Sequence, residues 1–160
     1  MNDLKMNEMM KLIWLWLIRL WILAASCFVS CMACAADVVD ISHGWVRATF
    51  PGQDVGAAYL DIQSAKDAKL VKVQTPAAGS VEIHSMTMDK GVMKMRMLEE
   101  LDLPAGKVVS LAPTGFHFML FDLKKPLKAG GDVTFILSLK CRQGDMNTQQ
   151  INLPVKAGND

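Results

Sequence analysis

Two of the three histidines and six of the twelve methionines of this 160-residue chain fall between His84 and Met119. In Val81-Glu82-Ile83-His84-Ser85-Met86-Thr87-Met88, an extended strand places His84, Met86 and Met88 on one face, because side chains repeat every second residue. The same rule groups Met93, Met95 and Met97 in Val92-Met93-Lys94-Met95-Arg96-Met97-Leu98 and turns Lys94 and Arg96 the other way. Asp89-Lys90-Gly91 supplies the turn between the two segments. A register that pairs Met88 with Met93 sets Met86 opposite Met95 and His84 opposite Met97, so all six soft side chains share one surface. A slip of one residue would break that arrangement. In Gly115-Phe116-His117-Phe118-Met119-Leu120-Phe121, His117 and Met119 point the same way.

Imidazoles and thioethers together make a donor set with a definite preference. Thioether sulfur is soft and neutral, so it favours Cu(I) and offers little to Zn(II), Mg(II) or Ca(II). Imidazole adds affinity and takes a proton near its ordinary pKa of about 6.5, so metal binding is expected to weaken as pH falls through that range. A methionine stripe is also good core filling. On that reading the chain is a non-metal interaction sandwich, and Met86, Met88, Met93 and Met97 are all buried. The two His-x-Met pairs, His84/Met86 and His117/Met119, favour the metal. His43, in Ser42-His43-Gly44-Trp45, has no soft neighbour and reads as a surface or structural residue. No serine–histidine–acid set, carboxylate pair or phosphate-cradling glycine loop is visible, so a carrier and not an enzyme is expected.

The elements that must position these residues follow a leader. Residues 1–35 carry Lys5 and Lys11, a long apolar run from Leu12 interrupted by Arg19, and a small-x-small site at Ala33-Cys34-Ala35. This reads as a secretory signal peptide cleaved after Ala35, giving a periplasmic product. A membrane anchor is the lesser reading, since Arg19 in mid-span costs about 2.5–3.5 kcal/mol on insertion scales. A lipoprotein is a lesser reading too, because none of Cys27, Cys31 and Cys34 has a Leu three residues upstream. The chain has 17 basic and 16 acidic residues, and removal of the leader leaves 14 of each. A neutral domain lacks the clustered cations that nucleic acid requires. Of four cysteines only Cys141 then remains, which excludes an internal disulfide or a CxxC redox pair and suggests a small residue at a strand end.

Residues 36–160 read as one all-β domain. Expected strands are Val38–Ile41, Gly44–Ala48, Ala57–Gln63, Leu70–Thr75, Val81–Met88, Val92–Leu98, Val108–Leu111, His117–Asp122, Val133–Leu139 and Gln149–Leu153. Turn signals such as Pro51-Gly52, Pro104-Ala105-Gly106, Pro113-Thr114-Gly115 and Gly130-Gly131 separate them, and this spacing favours a two-sheet sandwich.

His84, ten residues, Met95, twenty-one residues, then His117-x-Met119 resembles the ligand pattern of the periplasmic Cu(I) chaperones that serve the CuA site of cytochrome c oxidase, the PCuAC type. Trp45-Val46-Arg47-Ala48, Ala57-Ala58-Tyr59-Leu60, Leu103-Pro104-Ala105-Gly106 and His117-Phe118-Met119-Leu120 are similar to that family as well. The resemblance reaches to about Leu139. It implies a cupredoxin-like Greek-key β-sandwich whose His84, Met95, His117 and Met119 hold one Cu(I). It also implies a monomer that passes copper to an acceptor, either an oxidase subunit or a thiol-containing assembly factor, with no contact to membrane except through an uncleaved leader. A periplasmic copper buffer or resistance protein without a dedicated acceptor is the alternative. Met86 and Met93 are expected as auxiliary ligands in transfer and Met97 as a packing residue. Thr114 departs from a second glycine common before the family's second His, and the tail after Cys141 lacks the His- and Met-rich extension of some members.

Overall fold

The computed structural model describes Trp14, residues 39–141 and residues 144–158. The chain divides into two units, Met1–Ala36 and Asp37–Asp160. In the first, Trp14 is helical and exposed, and the rest of the expected signal peptide lies outside the described residues.

The second unit carries ten strands: β1 (Asp40–Arg47), β2 (Gly56–Gln63), β3 (Ala68–Gln74), β4 (Ser80–Asp89), β5 (Val92–Leu98), β6 (Leu101–Leu103), β7 (Val108–Leu111), β8 (Phe116–Phe121), β9 (Asp132–Cys141) and β10 (Met146–Lys156). They form one hydrogen-bonded sheet in the order β5-β4-β8-β7-β2-β1-β10-β9-β3-β6, with β8 also paired to β2. In a flat sheet β8 and β9 would lie roughly 20 Å apart at 4.8 Å per strand step. The rings of Phe118 on β8 and Phe135 on β9 are instead 6.2 Å apart, so the sheet folds over and packs its two halves face to face. β10 makes the change of layer. Residues from Met146 to Pro154 pair antiparallel with β9, and Val155 and Lys156 pair parallel with β1. This is the all-β sandwich expected from the sequence.

Alternation builds the core. On β9, Val133, Phe135, Leu137 and Leu139 are buried in turn, and they meet Ala58, Leu60, Ile62, Ile83, Phe118 and Leu120 from the other half. The structure differs from the sequence-based expectation in detail. The expected break between Ile41 and Gly44 falls inside one strand, β1, whose pairing to β2 shifts between Ser42 and Trp45 where His43 takes a positive φ of 50°. β6 was not expected. Its three residues are too short for an alternating pattern, and it exists because Leu101 and Leu103 enter the core beside β3. His43 is exposed, with Nδ1 2.9 Å from Asp61 Oδ2, and Cys141 ends β9, both as the sequence suggests.

Phe118 is fully buried in this core. Phe118→Ala is expected to lower unfolding free energy by about 3–5 kcal/mol in urea titrations, the usual cost of a buried phenylalanine truncated to a cavity.

Candidate metal centre

β4 lies between β5 and β8, and the three strands carry the predicted donors on the face opposite the core. Ile83, Phe118 and Leu120 point inward, so His84 on β4 and His117 and Met119 on β8 point outward. Register then decides who meets whom. His84 pairs directly with His117, and Glu82 with Met119. On the other side His84 pairs with Met97, Met86 with Met95 and Met88 with Met93, the register expected from the sequence. Lys90 and Gly91 have φ of 50° and 80°, the two positive values that a type I′ turn needs, and this two-residue loop leaves the hairpin no slack to slip.

His84, Met95, His117 and Met119 therefore lie on one face of three adjacent strands, each within one pleat repeat of the His84–His117 pair. The two imidazole rings are 5.9 Å apart. Exposure overturns the core-filling reading of the methionines: Met88 is 67 %, Met93 53 %, Met95 48 % and Met97 57 % exposed, and Met86 is half-buried. Met97 was expected to pack. It cannot, because it is opposite His84 on the outer face of an edge strand, where no further strand covers it.

Each imidazole is held by one nitrogen. His117 donates its Nδ1–H to the Gly115 carbonyl at 3.1 Å, which leaves the lone pair on Nε2. His84 Nε2 is 2.8 Å from a Glu82 carboxylate oxygen, so Nε2–H donates and Nδ1 keeps the lone pair. Among the described residues, Nδ1 of His84 is buried with no hydrogen-bond partner. A histidine oriented by a carboxylate or backbone carbonyl through one nitrogen, with the other nitrogen bare, has the arrangement of a metal ligand. Nitrogen and thioether donors, with the nearby Glu82 carboxylate engaged by His84 Nε2–H, suit a soft ion. Among the described residues no group of three or more His, Cys, Asp or Glu is arranged to hold a metal ion.

The surroundings of His117 favour its neutral form. Burial pushes the His117 pKa below its ordinary value; the hydrogen bond to Gly115 opposes this and the nearby His84 adds to it. Tyr59, whose ring is 6.4 Å from that of His117, is itself buried, and burial raises its phenol above the usual value against the pull of Arg47. Trp45 stacks 4.6 Å from Tyr59, and the Arg47 guanidinium lies 5.5 Å from the Tyr59 ring centre. Phe121 borders His84 at 6.2 Å. Residue chemistry alone did not single out Glu82, Tyr59 or Phe121 as neighbours of the site. Glu82 could have been found, since it is two residues from His84 on the same face. Tyr59 could not, because only the β2–β8 pairing brings it there.

Fold and donor set together define a cupredoxin-like β-sandwich with a histidine–methionine face. The apo PCuAC domain of PmoF1 shares this fold, with a TM-score of 0.59 over 75% of this chain and 94% of that domain at 24% identity. Residues 39–155 match the LpqE-like model, described as "Putative lipoprotein LpqE-like", and the chain belongs to that family. It is 34% identical to "Putative lipoprotein Lxx21020" of Leifsonia xyli subsp. xyli over 76% of this chain and 71% of that protein. It is similar also to DR1885 of Deinococcus radiodurans, solved in solution in its Cu(I) form, with 32% identity, a TM-score of 0.60, and coverage of 80% of this chain and 84% of that one.

His117 gives a test of the electrostatics. As pH falls, the unfolded chain takes up this proton near 6.5, before the folded protein does. His117 thus contributes full stability above about 6.5 and lowers it progressively as pH drops toward the depressed folded value. An imidazole-detected NMR titration of the metal-free protein is expected to place the His117 midpoint below the ordinary imidazole value of about 6.5.

Proposed function

We propose that the protein is a periplasmic copper chaperone that binds one Cu(I) through His84, Met95, His117 and Met119 and delivers it to the CuA site of cytochrome c oxidase or to an assembly factor of that site. The observation that carries this reading is the His84–His117 pair, each ring anchored through one nitrogen and bare at the other, on a face that also bears Met95 and Met119. Membership of the LpqE-like family and the 32% identity to DR1885, solved with Cu(I), support it.

The chemistry suits a carrier. Four neutral donors leave the ion its single positive charge, and a thiolate on an acceptor outcompetes them because it is both soft and anionic. Exposed Met95 is the ligand an acceptor reaches first, whereas His117 is nearly inaccessible and lets go last. Transfer then proceeds by exchange of one ligand at a time, with no redox step and no group for the protein to activate. Glu82 keeps His84 in the tautomer whose Nδ1 is bare, and the Gly115 carbonyl does the same for Nε2 of His117.

Export follows from the leader, with cleavage after Ala35. The lipoprotein names of the family and of the Leifsonia relative support a secreted or membrane-anchored location. The intact mass of protein recovered from the periplasm is expected to match residues 36–160; a mass that retains residues 1–35 would overturn cleavage.

Competition against a chromophoric Cu(I) chelator tests the ligands. The protein is expected to hold one Cu(I), and Met95→Ala and His117→Ala are each expected to weaken it at least about tenfold, equivalent to about 1.4 kcal/mol. Unchanged stoichiometry and affinity in both variants would overturn the assignment.

A further inference from the structure

The β4–β5 hairpin carries more thioethers than one four-ligand site uses. With Met95 assigned to the histidines, Met86, Met88 and Met93 remain on the same face, Met88 directly opposite Met93 and Met86 next along β4. Opposed β carbons on neighbouring strands lie about 4.5–5.5 Å apart, and same-face neighbours along a strand about 7 Å. Methionine has three rotatable side-chain bonds, so three sulfurs in this triangle can close on a single ion. The I′ turn at Lys90 and Gly91 holds the triangle in register. The cations of β5 are turned away from it. Lys94 and Arg96 alternate to the opposite face, and Lys94 Nζ is tied to Asp89 Oδ2 at 2.5 Å. Met88 and Met93 are among the most exposed large apolar side chains of the described residues. Side chains clustered so openly at a sheet edge point to a use for their sulfurs.

We propose that Met86, Met88 and Met93 form a second binding site, at the turn end of the hairpin, for a soft monovalent cation of the Cu(I) class. This rests on the proposed function only in assigning Met95 to the first site. The Met88–Met93 pair is four residues along β4 from His84, about 13 Å at the usual strand rise. That exceeds the Debye length of about 8 Å at physiological ionic strength, so two single charges can be held together with little repulsion. With three neutral thioethers and no imidazole, the second site binds more weakly than the first and is not weakened by mild acid, since thioethers carry no proton to compete.

The test is NMR of protein labelled with methyl-13C methionine, with Ag(I) added stepwise as a redox-inert ion of the same charge and softness. The expected result is two steps: the Met95 and Met119 methyls shift first, and the Met86, Met88 and Met93 methyls shift together later. In the Met88→Leu variant the first step is expected to persist with its affinity within about threefold, as for separated sites, and the second to weaken at least about tenfold. Silence of the three methyls at saturating Ag(I) overturns the second site and leaves the first intact. Movement of all five methyls in one step also overturns it, because one enlarged site then holds a single ion. A shift of Met86, Met88 and Met93 with no response of Met95 and Met119 upholds the second site and counts instead against the proposed function.

Discussion

The packing of Phe118 against Phe135 is the contact on which the metal face depends. It joins the two halves of a folded sheet, and it also fixes which way β8 faces. With Phe118 and Leu120 committed to the core, a two-residue repeat leaves His117 and Met119 no choice but the outer face. The same logic runs through β4, where buried Ile83 turns Glu82, His84 and Met86 outward. Core burial is worth several kcal/mol and is insensitive to metal. The donor face is therefore set before any ion arrives.

What the outer face offers is a pair of histidines whose orientation is settled by two inexpensive hydrogen bonds, one donated to a carboxylate two residues away and one donated to a turn carbonyl. Each bond takes up one nitrogen and defines the other as the donor atom. Burial of His117 keeps it neutral, which a ligand must be, and the aromatic ring of Tyr59 beside it limits water on that flank. The methionines are the opposite in character. Met88, Met93, Met95 and Met97 stand exposed on an edge hairpin, away from the core, while Met86 and Met119 are half-buried. The face thus has a buried imidazole end and an exposed thioether end.

Much of the local design was legible. Alternation in two short segments and a three-residue turn signal show which residues share a face, and the register that would bring all six soft side chains together is the one the I′ turn closes. The strands were found where Val, Ile, Leu and Phe alternate with polar residues. β6 is invisible in the sequence because three residues carry no period, and the positive φ at His43 makes an irregularity within β1 where the pattern suggests a strand end. The role given to Met97 failed for another reason. Sequence shows which residues share a face, but whether that face is covered depends on the strand order, and β5 is an edge.

The sequence by itself determined the chemistry of the site and its local grouping: soft neutral donors, spaced so that each strand offers them on one side. That information is local, since side-chain period and turn type are properties of a few consecutive residues. Only the tertiary structure decided that His84 lies across from His117, that Glu82 and Gly115 choose their tautomers, and that Tyr59 closes one flank while the methionines stay open. Those facts depend on β4 pairing with β8, and β8 with β2, between segments tens of residues apart. Such pairings are selected by burial of the whole core at once, and no short stretch of sequence carries them.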